Sequence, residues 1–419
     1  MSEAITAYAI FFRADSYSLN SLRSGWYRFI LSQNRAVEIE GRTVILGDHT
    51  HVVKDGGRMP GVVSLRDTSE TQSKPSYFRA QCWGGTGLLV GTFSACFCLP
   101  LNLQIHLGFK HIGGDSTTLK LGERIVQMAI DFAFPNDRPS WLALDAFFSV
   151  SPVFNRAYSL WSIKLKQPLI HVVTRAKSNY VAYFPAPPKH PRKVGRPAVY
   201  GEKIKLWEVF DHEHLYREVT MEVYGKQETV QILSAELLWK PIGRSLQFIW
   251  AITSRGPIVL MSSSLDTAPE TILGLYCSRV RIETLFDTLK NAIGAFKFHF
   301  WTTKLPRHSR RPVSNTKIKS PEPEDVKTVK KCWRAMEVFV FCALMATGLL
   351  QIFSLKYTAG IWKQNILYLR TRSRELPSER TTRQVIASLL AQQLSRCRIG
   401  SVLWKIRNAV NGNIGNNTC

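Results

Sequence analysis

Residues 268–292 read A-P-E-T-I-L-G-L-Y-C-S-R-V-R-I-E-T-L-F-D-T-L-K-N-A and predict one long helix. At about 100° per residue, Tyr276, Arg279, Glu283 and Lys290 fall within an arc of about 60°, because their spacings follow the helical repeat. Taken alone, this pattern also fits a surface helix with an Arg279–Glu283 salt bridge, which contributes about 0.3 to 0.5 kcal/mol. The four polar side chains are expected to share one face.

The neighbouring face of this predicted helix is apolar and must pack against the rest of the fold. Its members are Leu275, Ile282, Phe286, Leu289 and Ile293. Asp266 or Thr267 is expected as the N-cap, with Pro269 in the first turn. The polar stripe then lies at the edge of the core, where a carboxylate can point into a site.

Three apolar runs upstream predict buried strands. They are Arg42–Asp48, Pro139–Asp145 and Pro168–Thr174, and the first two end in an aspartate. Between them, Ser116–Phe134 has the spacing of an amphipathic helix. The alternation of strands and helices predicts an α/β fold, a mixed sheet flanked by helices.

Composition points to a charged partner and a reducing compartment. The 419 residues include 55 Lys and Arg against 31 Asp and Glu, a formal net charge of +24, which favours nucleic acid or an anionic membrane surface. The eight cysteines form no C-x-x-C pair, as expected for reduced thiols in the cytosol, and the start of the chain has no signal-peptide pattern. The apolar run Val338–Leu350 is short for a membrane span and predicts a buried core helix.

The spacing Tyr276-x2-Arg279-x3-Glu283-x6-Lys290 resembles the Tyr-Arg-Glu-Lys signature of a large family of bacterial insertion-sequence transposases with an Asp-Asp-Glu active site. The segments L-G-D-H-T-H-V-V-K-D-G-G-R-M-P-G, which contains Asp48, and L-A-L-D-A-F-F-S also resemble that family. The resemblance covers roughly residues 40–350.

The resemblance implies a ribonuclease H-like catalytic core in which Asp48, Asp145 and Glu283 hold two Mg²⁺ ions, with Mn²⁺ able to substitute. We expect Asp48 to bridge the two ions. Such a pair suits phosphodiester chemistry, which needs an activated oxygen nucleophile and charge relief on the leaving oxygen.

The remaining members of the stripe are expected at the DNA. The resemblance implies that Arg279 and Lys290 contact phosphates of the transposon end and that Tyr276 lies near the cut strand. The implied activity is Mg²⁺-dependent cleavage at the ends of a mobile element and transfer of the 3′-OH into target DNA. The implied partners are terminal repeats and target DNA, bound by a homodimer in the cytoplasm at the nucleoid, with no membrane.

The domain organisation predicted from composition has six segments. These are a short helical N-terminal segment (1–40), the first part of the catalytic core (41–180), a β-rich insertion (181–245), the second part of the core (246–305), a basic loop (306–332) and a C-terminal helical region (333–419). The insertion lies between the second Asp and the Glu, as in the family.

Two other functions stay open from the sequence. Only 47 residues precede Asp48, whereas many family members begin with a larger helical domain that recognises the repeats, so a catalytically inactive or truncated transposase-derived DNA-binding protein is the alternative. A general ribonuclease H-like nuclease would keep the metals without needing the Tyr276, Arg279 and Lys290 stripe.

Trp250 is a candidate for stacking on a flipped base or, alternatively, a core residue.

Overall fold

A computed structural model describes residues 12, 14, 16–66, 77–113, 119–164, 166–187, 198–308, 320–365 and 375–395. The chain divides into two compact units, residues 1–345 and 346–419. All strands described below belong to the first unit.

The described residues form eight α-helices and fifteen strands. The helices are α1 (Leu19–Ser32), α2 (Leu121–Ala133), α3 (Ser151–Ala157), α4 (Pro269–Ser278), α5 (Val280–Asp287), α6 (Val326–Lys356), α7 (Thr358–Gln364) and α8 (Glu379–Ser395). The strands are β1 (Glu38–Ile39), β2 (Arg42–Val53), β3 (Val62–Arg66), β4 (Tyr77–Gly91), β5 (Cys96–Ile105), β6 (Ser140–Ala143), β7 (Trp161–Ser162), β8 (Gln167–Pro168), β9 (Ile170–Arg175), β10 (Val181–Pro185), β11 (Tyr200–Lys205), β12 (Arg217–Val223), β13 (Lys226–Trp239), β14 (Arg244–Thr253) and β15 (Gly256–Ser262).

One mixed sheet of thirteen strands dominates the part of the chain that the structure describes. Its order is β11–β10–β13–β14–β15–β9–β6–β2–β4–β3, with β1, β5 and β12 paired to β2, β4 and β13. The pairs β2–β6 and β6–β9 are parallel, and the other pairs are antiparallel. This confirms an α/β fold with a mixed sheet flanked by helices.

Strand β2 lies between β6 and β4 and is covered on both faces. Its residues Val44, Ile45 and Leu46 are fully buried. A Cβ added to Gly47 would lie 2.6 Å from Ile125 of α2, so α2 packs against that face. Gly85 on β4, opposite Asp48, would meet Phe286 of α5 at 2.7 Å. Because neighbouring strand residues face opposite ways, α2 and α5 cover opposite faces of the sheet.

Two predicted boundaries differ from the structure. β2 does not end at Asp48 but continues to Val53, because β4 pairs with it along this whole length. α2 begins at Leu121 rather than at Ser116, since the Lys120 amide donates to the Glu123 carboxylate at 2.7 Å and closes the first turn there. Residue 116 itself lies outside the described residues.

The helix predicted over 268–292 is interrupted, which corrects the sequence interpretation. It divides at Arg279, whose amide donates to the Tyr276 carbonyl in a tighter turn, and it ends in a π-helical turn, Thr288–Ile293. The predicted side-chain caps are absent: Ala268 takes the N-cap position, and the Thr267 hydroxyl donates to Glu40 at 2.7 Å instead.

The segment between the second Asp and the Glu extends the central sheet. Strands β10 to β13 lie here, and β13 pairs with β14 from Trp239 to Gln231. Trp250 on β14 is 1% exposed and donates its indole N–H to the Leu206 carbonyl at 2.6 Å. Its surroundings are therefore those of a core tryptophan.

The predicted core helix over 338–350 lies within α6. Among the described residues, one helix, spanning 323–356, is long and apolar enough to cross a membrane, and half of its apolar stretch is buried in the protein. Ala335, Met336, Val338 and Phe341 are fully buried. Such burial is also what a core helix of a water-soluble protein has.

Candidate functional site

The two aspartates lie at matching positions of adjacent parallel strands. Leu46 of β2 is in register with Ala143 of β6, and Asp48 and Asp145 each follow two residues later. Beyond this level β6 has ended, whereas β2 continues beside β4. Both aspartates therefore lie where the parallel pairing of β2 with β6 ends.

Arg279 joins the first aspartate to the glutamate. Its Nη1 lies 3.2 Å from Asp48 Oδ2, and its Nη2 lies 2.7 Å from Glu283 Oε1. Arg279 occupies the junction between α4 and α5, and the break there directs its guanidinium at the strand ends. Its side chain is 15% exposed, whereas that of Glu283 is 53% exposed. One guanidinium thus lies between two of the three predicted carboxylates.

Asp145 belongs to the same cluster. The Thr174 hydroxyl of β9 donates to the Asp145 carbonyl oxygen at 2.7 Å and fixes the backbone at this position. Burial lowers the pKa of Arg279, but the nearby carboxylates of Asp145 and Asp48 outweigh it, so that this pKa is raised. The structure therefore brings Asp48, Asp145, Arg279 and Glu283 together.

The surroundings of Asp48 in this cluster raise the pKa of its carboxyl group. Burial raises its pKa to about 6, with further increases from the like charges of Asp145 and Glu283. The backbone amide of His49, which donates to Asp48 Oδ1 at 2.7 Å, and the charge of Arg279 oppose this rise. A cation beside these carboxylates would stabilise their charged forms.

The donor chemistry of the cluster suits a hard divalent cation. Carboxylate oxygens are the ligands that Mg²⁺ prefers. In the described part of the chain, however, no group of three His, Cys, Asp or Glu side chains has the arrangement to hold a metal ion. In this structure the Arg279 guanidinium lies between the carboxylates of Asp48 and Glu283.

The other two members of the predicted stripe are placed differently. Tyr276 is 5% exposed, and burial raises its pKa to about 12. The Arg279 guanidinium lies 6.0 Å from the centre of its ring. Lys290 is half-buried in the π-helical turn that follows α5. The stripe is therefore not the regular helical face that the spacing predicted.

A histidine pair next to Asp48 was not predicted from the sequence. His49 Nε2 lies 3.0 Å from His106 Nδ1, and the His49 ring stacks on Phe148. Burial lowers the pKa of His49 to about 3, so the ring is neutral at physiological pH. The sequence signal was the His that follows Asp48 directly, but only the folded sheet brings His106 beside it.

Together these residues form an acidic cluster that holds the guanidinium of Arg279. Such a cluster suits a cation and a phosphate ester. The sequence matches no family model and no curated protein.

Proposed function

We propose that the protein is a DNA transposase that cleaves DNA at the ends of a mobile element and joins the 3′-OH to target DNA. The observation that carries this proposal is the meeting of Asp48 and Asp145, at matching positions of adjacent parallel strands, with Glu283 through Arg279. The mixed sheet that holds the two aspartates supports a ribonuclease H-like core.

Asp48, Asp145 and Glu283 would hold the two Mg²⁺ ions, with Asp48 shared between them. Bound there, the ions supply an activated oxygen nucleophile and charge relief for the leaving oxygen. The protein's part is to keep three carboxylates together despite their repulsion, and Arg279 offsets that repulsion in the metal-free protein.

In this proposal, the carboxylates of the cluster and a DNA phosphate compete for the Arg279 guanidinium. The guanidinium pairs with Asp48 and Glu283 in this structure, and a phosphate of the transposon end offers an alternative bidentate partner. A move of Arg279 to DNA would free both carboxylates for the metal. Lys290, half-buried on the next turn, is proposed as a second phosphate contact, and Tyr276 supports the Arg279 side chain beneath the cut strand.

The rest of the molecule is consistent with DNA as partner. A net charge of +24 favours binding to a phosphate backbone. We propose that two copies act on the two element ends, as synapsis requires, in the cytoplasm. Part of the basic loop predicted over 306–332 lies outside the described residues.

A non-catalytic DNA-binding protein derived from a transposase is the second candidate. The ion pairs that Arg279 makes with Asp48 and Glu283 favour it, because a permanent guanidinium would exclude the metal. A nuclease of the same fold would cut DNA without joining it. Cutting and joining therefore separate the three functions.

The test is a cleavage and strand-transfer assay on labelled DNA that carries the flanking ends of the element. We expect the wild-type protein with Mg²⁺ to give cut and joined products, and Glu283→Gln to reduce both on the order of 100-fold or more. Asp287→Asn is the matched control, because it removes an exposed carboxylate from the same helix. Salt-sensitive binding without cutting by any variant would favour the non-catalytic protein, and cutting without joining would favour the nuclease.

A further inference from the structure

A cavity lies between α1, the end of β5 and α6, apart from the carboxylate cluster. Its volume is about 610 Å³, within the range of about 300 to 1,000 Å³ that ligand pockets have. None of the carboxylates of the candidate site lines it. Its wall instead combines arginines with aromatic rings.

Three arginines, Arg23, Arg124 and Arg334, line this cavity, against one acidic residue, Glu337. Arg23 donates to the side-chain oxygens of Asn20 and Asn102, both at 3.0 Å. Within the described ranges, neither Arg23 nor Arg124 forms an ion pair. The Glu337 carboxylate accepts from the Ile105 amide at 3.2 Å, and burial raises its pKa. The cavity therefore has an excess of positive charge and suits an anion.

Aromatic rings stand beside these cations. The Arg124 guanidinium lies 4.1 Å from the centre of the Phe109 ring, and Phe109 lies 5.5 Å from Trp333. The Arg334 guanidinium lies 5.2 Å from the centre of the Tyr17 ring, and both residues line the cavity. Flat π faces next to phosphate-binding cations are the features on which proteins hold unpaired bases.

The cavity is close to the level of the carboxylates, although on the other face of the sheet. Ile105 lines the cavity and is the residue directly before His106. His106 contacts His49, the neighbour of Asp48.

We propose that this cavity binds one unpaired nucleotide, with its phosphate at Arg23 and Arg124 and its base against Tyr17 and Phe109, whose side chains are partly exposed. The source is either a single-stranded DNA end or a free mononucleotide. The inference rests on DNA as the partner in the proposed function, but binding at the cavity is measured without cleavage.

The first experiment measures affinity for a 5′-phosphorylated trideoxynucleotide, dTMP and unphosphorylated thymidine. Arg23→Gln and Arg124→Gln should each weaken binding of the phosphorylated probes about tenfold, whereas Arg28→Gln should change it less than about twofold. Arg28 is a matched control because it is exposed on the same helix and does not line the cavity. Thymidine should bind far more weakly than dTMP.

The second experiment locates the base. A trinucleotide with 5-iododeoxyuridine is crosslinked by light, and the modified peptide should contain Tyr17 or Phe109. Binding of dTMP as tight as that of the trinucleotide would assign a mononucleotide pocket, and tighter binding of the trinucleotide would assign a strand end. The proposal is overturned if folded Arg23→Gln and Arg124→Gln bind both probes like the wild type, or if the crosslinks map elsewhere. Because binding at the cavity is measured without cleavage, absence of cleavage would count against the proposed transposase and not against the cavity.

Discussion

Arg279 determines the electrostatics of the candidate site in the absence of metal. It pairs with Asp48 and Glu283 and is close to Asp145, so one positive charge offsets three negative ones. With its side chain only 15% exposed, its interactions are screened less than those of a surface pair. Without this charge, the three carboxylates should need another cation to offset their mutual repulsion.

We expect Arg279→Gln to lower the free energy of unfolding by about 1 to 2 kcal/mol in EDTA. Mg²⁺ should then stabilise the variant more than the wild type. In the variant the ion relieves the repulsion among the carboxylates and does not compete with the Arg279 guanidinium. Thermal unfolding at increasing Mg²⁺ measures both effects. Arg281→Gln, which changes a residue beside Cys96, is the control. Equal stabilisation of wild type and Arg279→Gln would contradict competition between arginine and metal.

Asp48 should make stability depend on pH when metal is absent. Burial raises its pKa from 3.8 to about 6, so the folded protein binds the proton more tightly than the unfolded chain. The contribution of Asp48 to stability is then fully present below pH of about 4 and is lost as the pH rises towards about 6.

Asp48→Asn removes this titration, so in EDTA it should be more stable than the wild type above pH 6, by up to about 3 kcal/mol. The difference should vanish near pH 4. Chemical denaturation of both proteins between pH 4 and 8 measures it. A difference that does not change with pH would show that Asp48 does not titrate as inferred.

At the scale of elements, two glycines of β4 allow the helices and rings to reach β2. Gly84 lies opposite His49, and Gly85 lies opposite Asp48. A Cβ at Gly84 would overlap the ring of His106, and one at Gly85 would overlap the ring of Phe286. The G-G pair therefore makes room for a ring on each face of the sheet beside the site.

Gly84→Ala should destabilise the protein by about 1 to 3 kcal/mol, because the buried His106 ring has to move. Gly25→Ala is the control: it lies within α1 with nothing near its added Cβ, and should stabilise by about 0.5 to 1 kcal/mol. Urea unfolding compares the two. A neutral Gly84→Ala would mean that His106 is not held as described.

The strands around the site were predictable, whereas the local geometry of the helix was not. Apolar runs marked β2, β6 and β9 because these strands are buried on both faces. The break at Arg279 and the π-helical turn have no signal in the periodicity of the sequence, which continues through both positions. The cap at Ala268 was missed because Thr267 uses its hydroxyl for a distant residue, Glu40.

At the scale of the whole molecule, the proposed DNA binding should weaken as the salt concentration rises, because each phosphate contact releases counterions. The formal charge is +24, and Lys290 is the stripe residue proposed as a phosphate contact beside Arg279. Each phosphate contact contributes a slope of about −0.9 to the logarithm of the binding constant against the logarithm of salt concentration.

Lys290→Gln should therefore reduce the magnitude of this slope by about 1 and weaken binding similarly for all DNA sequences. The slope is measured by fluorescence anisotropy with labelled duplexes at salt concentrations of about 50 to 300 mM, a range that includes the physiological value. An unchanged slope would remove Lys290 from the DNA interface.

The central claim is that Asp48, Asp145 and Glu283 together hold divalent metal ions when DNA is bound. The most direct measurement is a Mn²⁺ titration of the protein–DNA complex, followed by electron paramagnetic resonance, for the wild type, Glu283→Gln and Asp287→Asn. We predict two bound ions with the spin coupling of a pair about 3.5 to 4 Å apart in the wild type and in Asp287→Asn, and loss of that coupling in Glu283→Gln. Mn²⁺ binding that is identical in all three proteins, or absent from the wild type, would contradict the claim.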